Sequence, residues 1–481
     1  MNKRIIIALI TVLMILSFLP LGANALEDPK VKYTPYCAVY NIENDEYCYE
    51  NSIDDRIAPA GTVKIMTAAL AIEYYADNMK AEITVKGEWL RGVTGITAGF
   101  KDGEVLTAEE VISTLIICSA NDSAYILAND IAGSSEAFVT MMNEKAKDLG
   151  MKDTLYINPT GTDVEGAYTS VRDVVTISKY VSTFPKYTEL SDSPSVVLDA
   201  TSANVQRTLY SRNYFISYYY NTRYHDYSVF GFNSGMSGNA GWCLSIGGKS
   251  SSGLTYIVVV MGARDPETED GEKPDKFFVS GYEDAKELLN WAYDNFGYFT
   301  IIDTSTMVCE VPVKLSTKVD HVIALPEEKI VLFLPLDTDL ETAVEKKWSI
   351  SDKELRAPLS KGEKVGTLTV TINGKEEKTV NLVAKNNVDR NAGLLIIDNA
   401  VSFFTHPFMI LLGVIILILI VLYIFYMAKY MARKRQIVKY KAPKVKKKPP
   451  SNRKRSQTNK SPNPKMPPKS NHPNNNNNRS R

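Results

Sequence analysis

The chain has 481 residues, room for two or three domains with cores of their own. Its 55 Lys and Arg balance 55 Asp and Glu only in total: 18 bases and no acid lie in 429–481, and Lys3 and Arg4 add two, so Leu26 to His406 keeps 35 bases against all 55 acids, a formal charge of −20. Five cysteines without a CxxC pair, and four histidines scattered at 225, 321, 406 and 472, offer no metal cluster and no Ser-His-Asp arrangement.

An acidic body and a basic tail seldom share one compartment, and the N-terminus gives a reason for the division. Lys3 and Arg4 precede the apolar run Ile5 to Leu19, and Ala23-Asn24-Ala25 has the small-x-small pattern of a signal peptidase site. Residues 1–25 are therefore expected to be a signal peptide, with the mature chain beginning at Leu26. All five cysteines then lie in the exported part, and their odd number leaves at least one unpaired or bonded between chains.

Residues 33–50 alternate apolar and polar around Glu43-Asn44-Asp45-Glu46, which predicts a β-hairpin. The stretch from Arg56 to Ala68 reads as a Pro-initiated turn entering an apolar helix, buried through Ile65, Met66, Ala69, Leu70 and Ile72. Lys64 in its first turns is costly there unless paired or used, although a lysine snorkelling from a helix end is the plainer alternative. Residues 81–106 hold short strand-like runs broken by Gly87, Gly92, Gly95, Gly99 and Gly103.

Thr107-Ala108-Glu109-Glu110 is a capping box and predicts a helix to about Cys118. It ends at Ser119-Ala120-Asn121-Asp122, which alone is a common helix cap. A further helix is predicted over Phe138 to Gly150, with Gly150 as its stop, running into Asn158-Pro159-Thr160-Gly161. Seven tyrosines crowd 210–227 (Tyr210, Tyr214, Tyr218, Tyr219, Tyr220, Tyr224, Tyr227); half-buried packing is the favoured reading and a ligand-facing platform the alternative. Gly231 to Leu244 and Leu254 to Gly262 follow as strands, and Tyr282 to Phe296 as a helix. From Thr300 to Asn386 the pattern is purely β, with a turn at Asn373-Gly374. Residues 387–407 are a connector with one amphipathic turn at Leu394 to Phe404. Phe408 to Met427 gives 20 residues without a charge, enough to span a hydrocarbon core. Lys429, Arg433, Lys434 and Arg435 follow it, so the positive-inside rule places the tail in the cytoplasm. The basic segment 428–481 is expected to be disordered and suited to anionic lipid, with no specific nucleic acid partner.

Taken together, these stretches resemble the serine penicillin-binding proteins of the D-alanyl-D-alanine carboxypeptidase family. Ala58-Pro59-Ala60-Gly61-Thr62-Val63-Lys64-Ile65-Met66-Thr67-Ala68 is similar to its Ser-x-x-Lys helix, and Ser119-Ala120-Asn121 to its Ser-x-Asn turn. Met142-Asn143-Glu144-Lys145-Ala146-Lys147-Asp148-Leu149-Gly150-Met151 and the Asn-Pro-Thr-Gly that follows agree with it at length. Gly231 to Leu244 keeps the frame of its Lys-Thr-Gly strand, and Leu359 to Leu368 resembles its appended β domain. The resemblance implies an α+β transpeptidase domain of the penicillin-binding-protein/serine β-lactamase type over 26–299, a β-rich domain over 300–386, and one transmembrane helix over 408–427.

It also implies roles. In the family a serine is acylated by the D-Ala-D-Ala end of a peptidoglycan stem peptide, the motif lysine is its base, and the Ser-x-Asn serine shuttles protons. The Lys-Thr-Gly strand holds the terminal carboxylate. Carried over, Lys64, Ser119 and Asn121 are the retained catalytic positions, and Asn233, Ser234, Gly235 and Ser237 the substrate-binding ones. No metal or cofactor is implied. Two departures remove chemistry: Gly61 stands at the nucleophile position, and Asn233 replaces the lysine that meets the carboxylate. Thr62 is rotated by roughly 200° from Lys64 and is a poor substitute. The expectation is a single-pass cell-membrane protein with an extracellular ectodomain, a pseudoenzyme binding stem peptides or wall-synthesis proteins. An active carboxypeptidase and a wall-to-membrane tether are the alternatives. The fold is expected to tolerate a serine at 61.

Overall fold

The computed structural model describes residues 26–266, 275, 277–351 and 354–440. The signal-peptide reading of 1–25 and most of the basic tail lie outside these residues. In chain order the first domain comprises β1 (Tyr36–Asn41), β2 (Glu46–Asn51), α1 (Val63–Tyr74), β3 (Glu82–Thr84), β4 (Val105–Thr107), α2 (Ala108–Cys118), α3 (Asn121–Ala132) and α4 (Ser135–Asp148). It continues with α5 (Val171–Ser182), α6 (Pro185–Ser191), β5 (Ser195–Leu198), β6 (Arg207–Tyr210), β7 (Val229–Ser237), β8 (Gly241–Lys249), β9 (Thr255–Ala263) and α7 (Ser280–Asn295).

Five of these strands form an antiparallel sheet in the order β2-β1-β9-β8-β7. Side-chain alternation along β9 divides the core in two. Ile257, Val259 and Met261 face one side, where they pack with α1 to α6; Val258 and Val260 face the other, with Tyr282, Ala285, Leu288, Leu289 and Ala292 of α7. The sheet is thus covered on both faces, and its central strands are largely apolar, with the buried Ser245 of β8 bonded to Ser178 Oγ at 2.7 Å. Every residue of α1 from Val63 to Ile72 is buried, so this helix is the centre of the larger core.

The capping box operates as its sequence predicts: Thr107 Oγ1 accepts from the Glu110 N–H at 3.2 Å, and Glu110 Oε2 accepts from the Thr107 N–H at 2.7 Å. Helix α4 begins at Ser135 rather than Phe138, because Ser134 caps it by accepting from the Ala137 N–H. Between 81 and 106 only β3 and β4 are strands; Gly87–Leu90 is a 3-10 turn and much of the remainder is irregular.

The second domain is β-rich: β10 (Phe296–Ile302), β11 (Cys309–Pro312), β12 (His321–Pro326), β13 (Ile330–Pro335), the short α8 (Leu340–Ala343), β14 (Val344–Ile350), β15 (Lys364–Ile372) and β16 (Lys375–Ala384). Five of its strands pair in the order β11-β12-β16-β15-β14, and β10 pairs with β13. The predicted Asn373-Gly374 turn joins β15 to β16. All five cysteines are free thiols.

Residues beyond Asn391 form a separate unit. There the connector is a correction to the expected single turn: it is a 14-residue helix, α9 (Ala392–Thr405), followed by α10 (Pro407–Tyr440), 34 residues long. Pro407–Arg435 of α10 is long and apolar enough to cross a membrane, which makes it a candidate anchor.

Candidate active-site cleft

A cleft of about 240 Å³ opens where the start of α1, the α2–α3 turn, the 160–163 loop and the end of β7 meet. Gly61, Lys64, Ser119, Asn121, Gly235 and Ser237 all line it, brought together from three separate parts of the chain. Asn233 and Ser234 lie just behind, 5% and 6% exposed.

Lys64 is 5% exposed, and its Nζ donates to the Thr160 carbonyl at 2.8 Å. No carboxylate faces it at ion-pairing distance among the described residues, so burial alone brings its pKa down to about 7. The acceptor carbonyl is set by the Asn-Pro-Thr-Gly loop. Asn158 Oδ1 accepts from the N–H groups of Thr160 (3.0 Å) and Gly161 (2.7 Å), while its Nδ2 donates to the Thr162 carbonyl. Pro159 meanwhile offers its carbonyl to Thr67 Oγ1 at 2.7 Å. Gly161 has φ +77°, and a Cβ there would collide with the Ala60 carbonyl. Thr160, Asn158 and Gly161 were not singled out from sequence for this work, although the motif that holds them was visible.

Ser119 ends α2 in the left-handed region at φ 56°. Its Oγ donates to Asn233 Oδ1 at 3.1 Å, so the residue replacing the family's lysine is occupied by the cleft's own serine. Asn121 Nδ2 donates to the Thr94 carbonyl and its N–H to the Ile96 carbonyl, each at 2.7 Å, which pins this segment over the cleft. Ser234 Oγ accepts from Tyr282 OH at 2.9 Å. Ser237 Oγ accepts from the Ala240 N–H within the β7–β8 turn. Among the lining residues the charged groups are Lys64 and Asp163; Asp163 Oδ2 accepts from the Asn239 N–H at 3.1 Å and puts a negative charge on the rim.

The nucleophile position differs from the sequence expectation in one respect. Gly61 lies in a 3-10 turn, Ala60–Thr62, ahead of α1, and Thr62 Oγ1 donates to the Pro59 carbonyl at 2.6 Å, away from Lys64's partner. A Cβ at 61 would lie 2.9 Å from both Gly235 Cα and Ser234 O, and a Cβ at 235 would lie 2.7 Å from Gly61 Cα. Two glycine backbones therefore close on each other, and a serine at 61 has no room without displacement of β7. The expected tolerance of that serine is corrected accordingly.

The tyrosine cluster also differs from a uniform half-buried packing. Tyr224 is 1% exposed, whereas Tyr218, Tyr219 and Tyr227 are 66%, 58% and 97% exposed.

Comparison with known proteins agrees with this architecture. Residues 37–265 match the D-alanyl-D-alanine carboxypeptidase family, and residues 296–390 match the penicillin-binding protein 5 C-terminal domain. The chain is 28% identical to the D-alanyl-D-alanine carboxypeptidase DacF of Bacillus subtilis over 78% of this chain and 91% of that one. It is 25% identical to DacA of Haemophilus influenzae over 70% and 80%. In fold it is similar to penicillin-binding protein 5 from Haemophilus influenzae (TM-score 0.53, 20% identity, 76% of this chain and 100% of that one). Penicillin-binding protein 6B from Escherichia coli is similar too, with TM-score 0.54, 19% identity and coverage of 75% and 98%. With both domain types matched in order, the chain belongs to the D-alanyl-D-alanine carboxypeptidase family of low-molecular-mass penicillin-binding proteins.

Proposed function

We propose that this protein is a pseudoenzyme of the cell wall, held to the cell membrane by α10 and acting by binding or scaffolding. The observation that carries the reading is the contact of Gly61 with Gly235: the position of the family's nucleophile has no oxygen and no space for one. Asn233 supports it, since a neutral amide engaged by Ser119 replaces a cation, and charge-assisted bonds contribute about 1.5–3 kcal/mol where neutral ones contribute less. Asp163 on the rim would repel a terminal carboxylate further. The partners proposed are peptidoglycan stem peptides or wall-synthesis proteins. In this topology the ectodomain is extracellular, and the basic tail lies in the cytoplasm, where it meets anionic lipid.

A second reading, an active carboxypeptidase with another nucleophile, draws on Lys64, whose pKa of about 7 would suit a base. Intact-mass spectrometry after incubation with penicillin separates the two. The wild-type chain is expected to carry no adduct under conditions that acylate an active family member. A stoichiometric adduct would overturn the pseudoenzyme reading.

A further inference from the structure

A second opening on the first domain lies away from the cleft. Val229 at the start of β7 lines it, whereas Gly235 near the strand's end lines the cleft, a separation of roughly 20 Å at strand rise. We propose that this groove of about 560 Å³, walled by Tyr227, Asp192, Lys249, Thr188, Ser228 and Ser250, binds a neutral pyranose chain.

Tyr227 supplies an apolar plane. Its ring is 97% exposed, yet it is braced edge-to-face by His225 at 4.6 Å, which in turn meets Tyr218 at 5.6 Å. A ring held in orientation with its faces in water suits stacking against the C–H face of a sugar. The polar walls supply the rest. Asp192 and Lys249 make no ion pair among the described residues, which leaves an acceptor and a donor of opposite charge open to the groove. Ser228 Oγ donates to Asp226 Oδ1 and accepts from Tyr293 OH at 3.4 Å, and Thr188 Oγ1 donates to the Pro185 carbonyl; a hydroxyl oxygen accepts twice, so each keeps at least one acceptor position. Ser250 Oγ is bonded to Ser252 Oγ at 2.8 Å and accepts from the Leu254 N–H at 3.1 Å.

This mixture discriminates among ligand classes. Apolar lining is confined to Val229, Phe230 and the Tyr227 ring, whereas protein hot spots centre on a desolvated apolar pocket. An anionic ligand would meet Asp192, and a cationic one Lys249. A neutral ring with apolar faces and a hydroxyl rim satisfies both charges together with the hydroxyls. The proposal does not depend on the reading of the Gly61 cleft.

The test is calorimetric titration of the full chain, in a detergent without a sugar headgroup, with cellotetraose and with a β-linked N-acetylglucosamine tetramer. At least one is expected to bind with a Kd on the order of 1 mM or tighter. Tyr227→Ala, at a position whose exposure makes it harmless to folding, and Asp192→Asn should each weaken binding about tenfold. Lys64→Met in the separate cleft should leave it unchanged. No binding of either sugar at about ten times that concentration, or binding indifferent to both groove variants, would overturn the assignment.

Discussion

At Lys64 the ammonium form gives up its water for a single carbonyl, and the consequence is a pH dependence of known sign. The folded pKa is about 7 against an ordinary 10.5, so between those values the unfolded chain binds more protons than the folded one. Stability therefore rises with pH across that window, and below pH 7 the full penalty of the buried charge stands. In Lys64→Met the penalty is absent. The variant should exceed wild type in stability most at pH 6.5, and the gap should narrow toward pH 10 by at most about 1.4 kcal/mol per pH unit. Urea unfolding of the two proteins at several pH values measures this, and the raised thiols of Cys37, Cys118 and Cys243 cancel in the difference. A gap constant with pH would count against a buried amine that titrates. At Gly61 the argument is steric. Gly61→Ser should destabilise by about 1–3 kcal/mol, since the new Cβ meets backbone rather than a yielding side chain. It should also remain free of penicillin adduct. A serine variant as stable as wild type and fully acylated would show that β7 can retreat.

Elements whose cause is local could be read in advance. The Thr107-Glu110 box, the β1–β2 hairpin, the Asn373-Gly374 turn and the buried α1 depend on residues a few positions apart, and all are present. The motif residues could be located too, because their spacing survives even where their chemistry does not. What could not be read is set by distant neighbours. Gly61 meets Gly235 only because β7 closes the sheet beside the turn before α1, and no local pattern encodes that approach. The division of the tyrosines between core and surface likewise follows tertiary packing: Tyr224 lies beneath α7 while Tyr227 stands in solvent. The 158–161 loop shows what one side chain does for an element. Asn158 satisfies two backbone N–H groups and one carbonyl, and thereby holds Thr160 toward Lys64. Asn158→Ala should destabilise by about 2 kcal/mol or more, at about 1 kcal/mol per lost bond. Hydrogen exchange should show faster loss of protection at Thr160 and Gly161. Unchanged exchange there would mean the loop is held by its ends alone.

On the scale of the whole molecule the charge division and α10 make one physical case. An α-helix rises 1.5 Å per residue, so the 34 residues of α10 extend about 51 Å, longer than a hydrocarbon core of about 30 Å. In the proposed topology the apolar part from Phe408 to Met427 would fill the core, and the remaining turns, with Lys429, Arg433, Lys434 and Arg435, would lie among headgroups. Lys and Arg beside a span are retained on the cytoplasmic side, whereas residues 391–407, on the other flank of the apolar run, contain no Lys or Arg. Protease added to intact spheroplasts should therefore digest the ectodomain and leave a fragment of α10 with the tail attached. Permeabilisation should then expose the tail as well. A peptide covering 429–481 should bind vesicles rich in anionic lipid and lose that binding at moderate salt, because its 18 bases face no acid of their own. An ectodomain protected in intact spheroplasts would reverse the orientation, and equal binding of the peptide to neutral vesicles would remove the electrostatic reason for a basic tail.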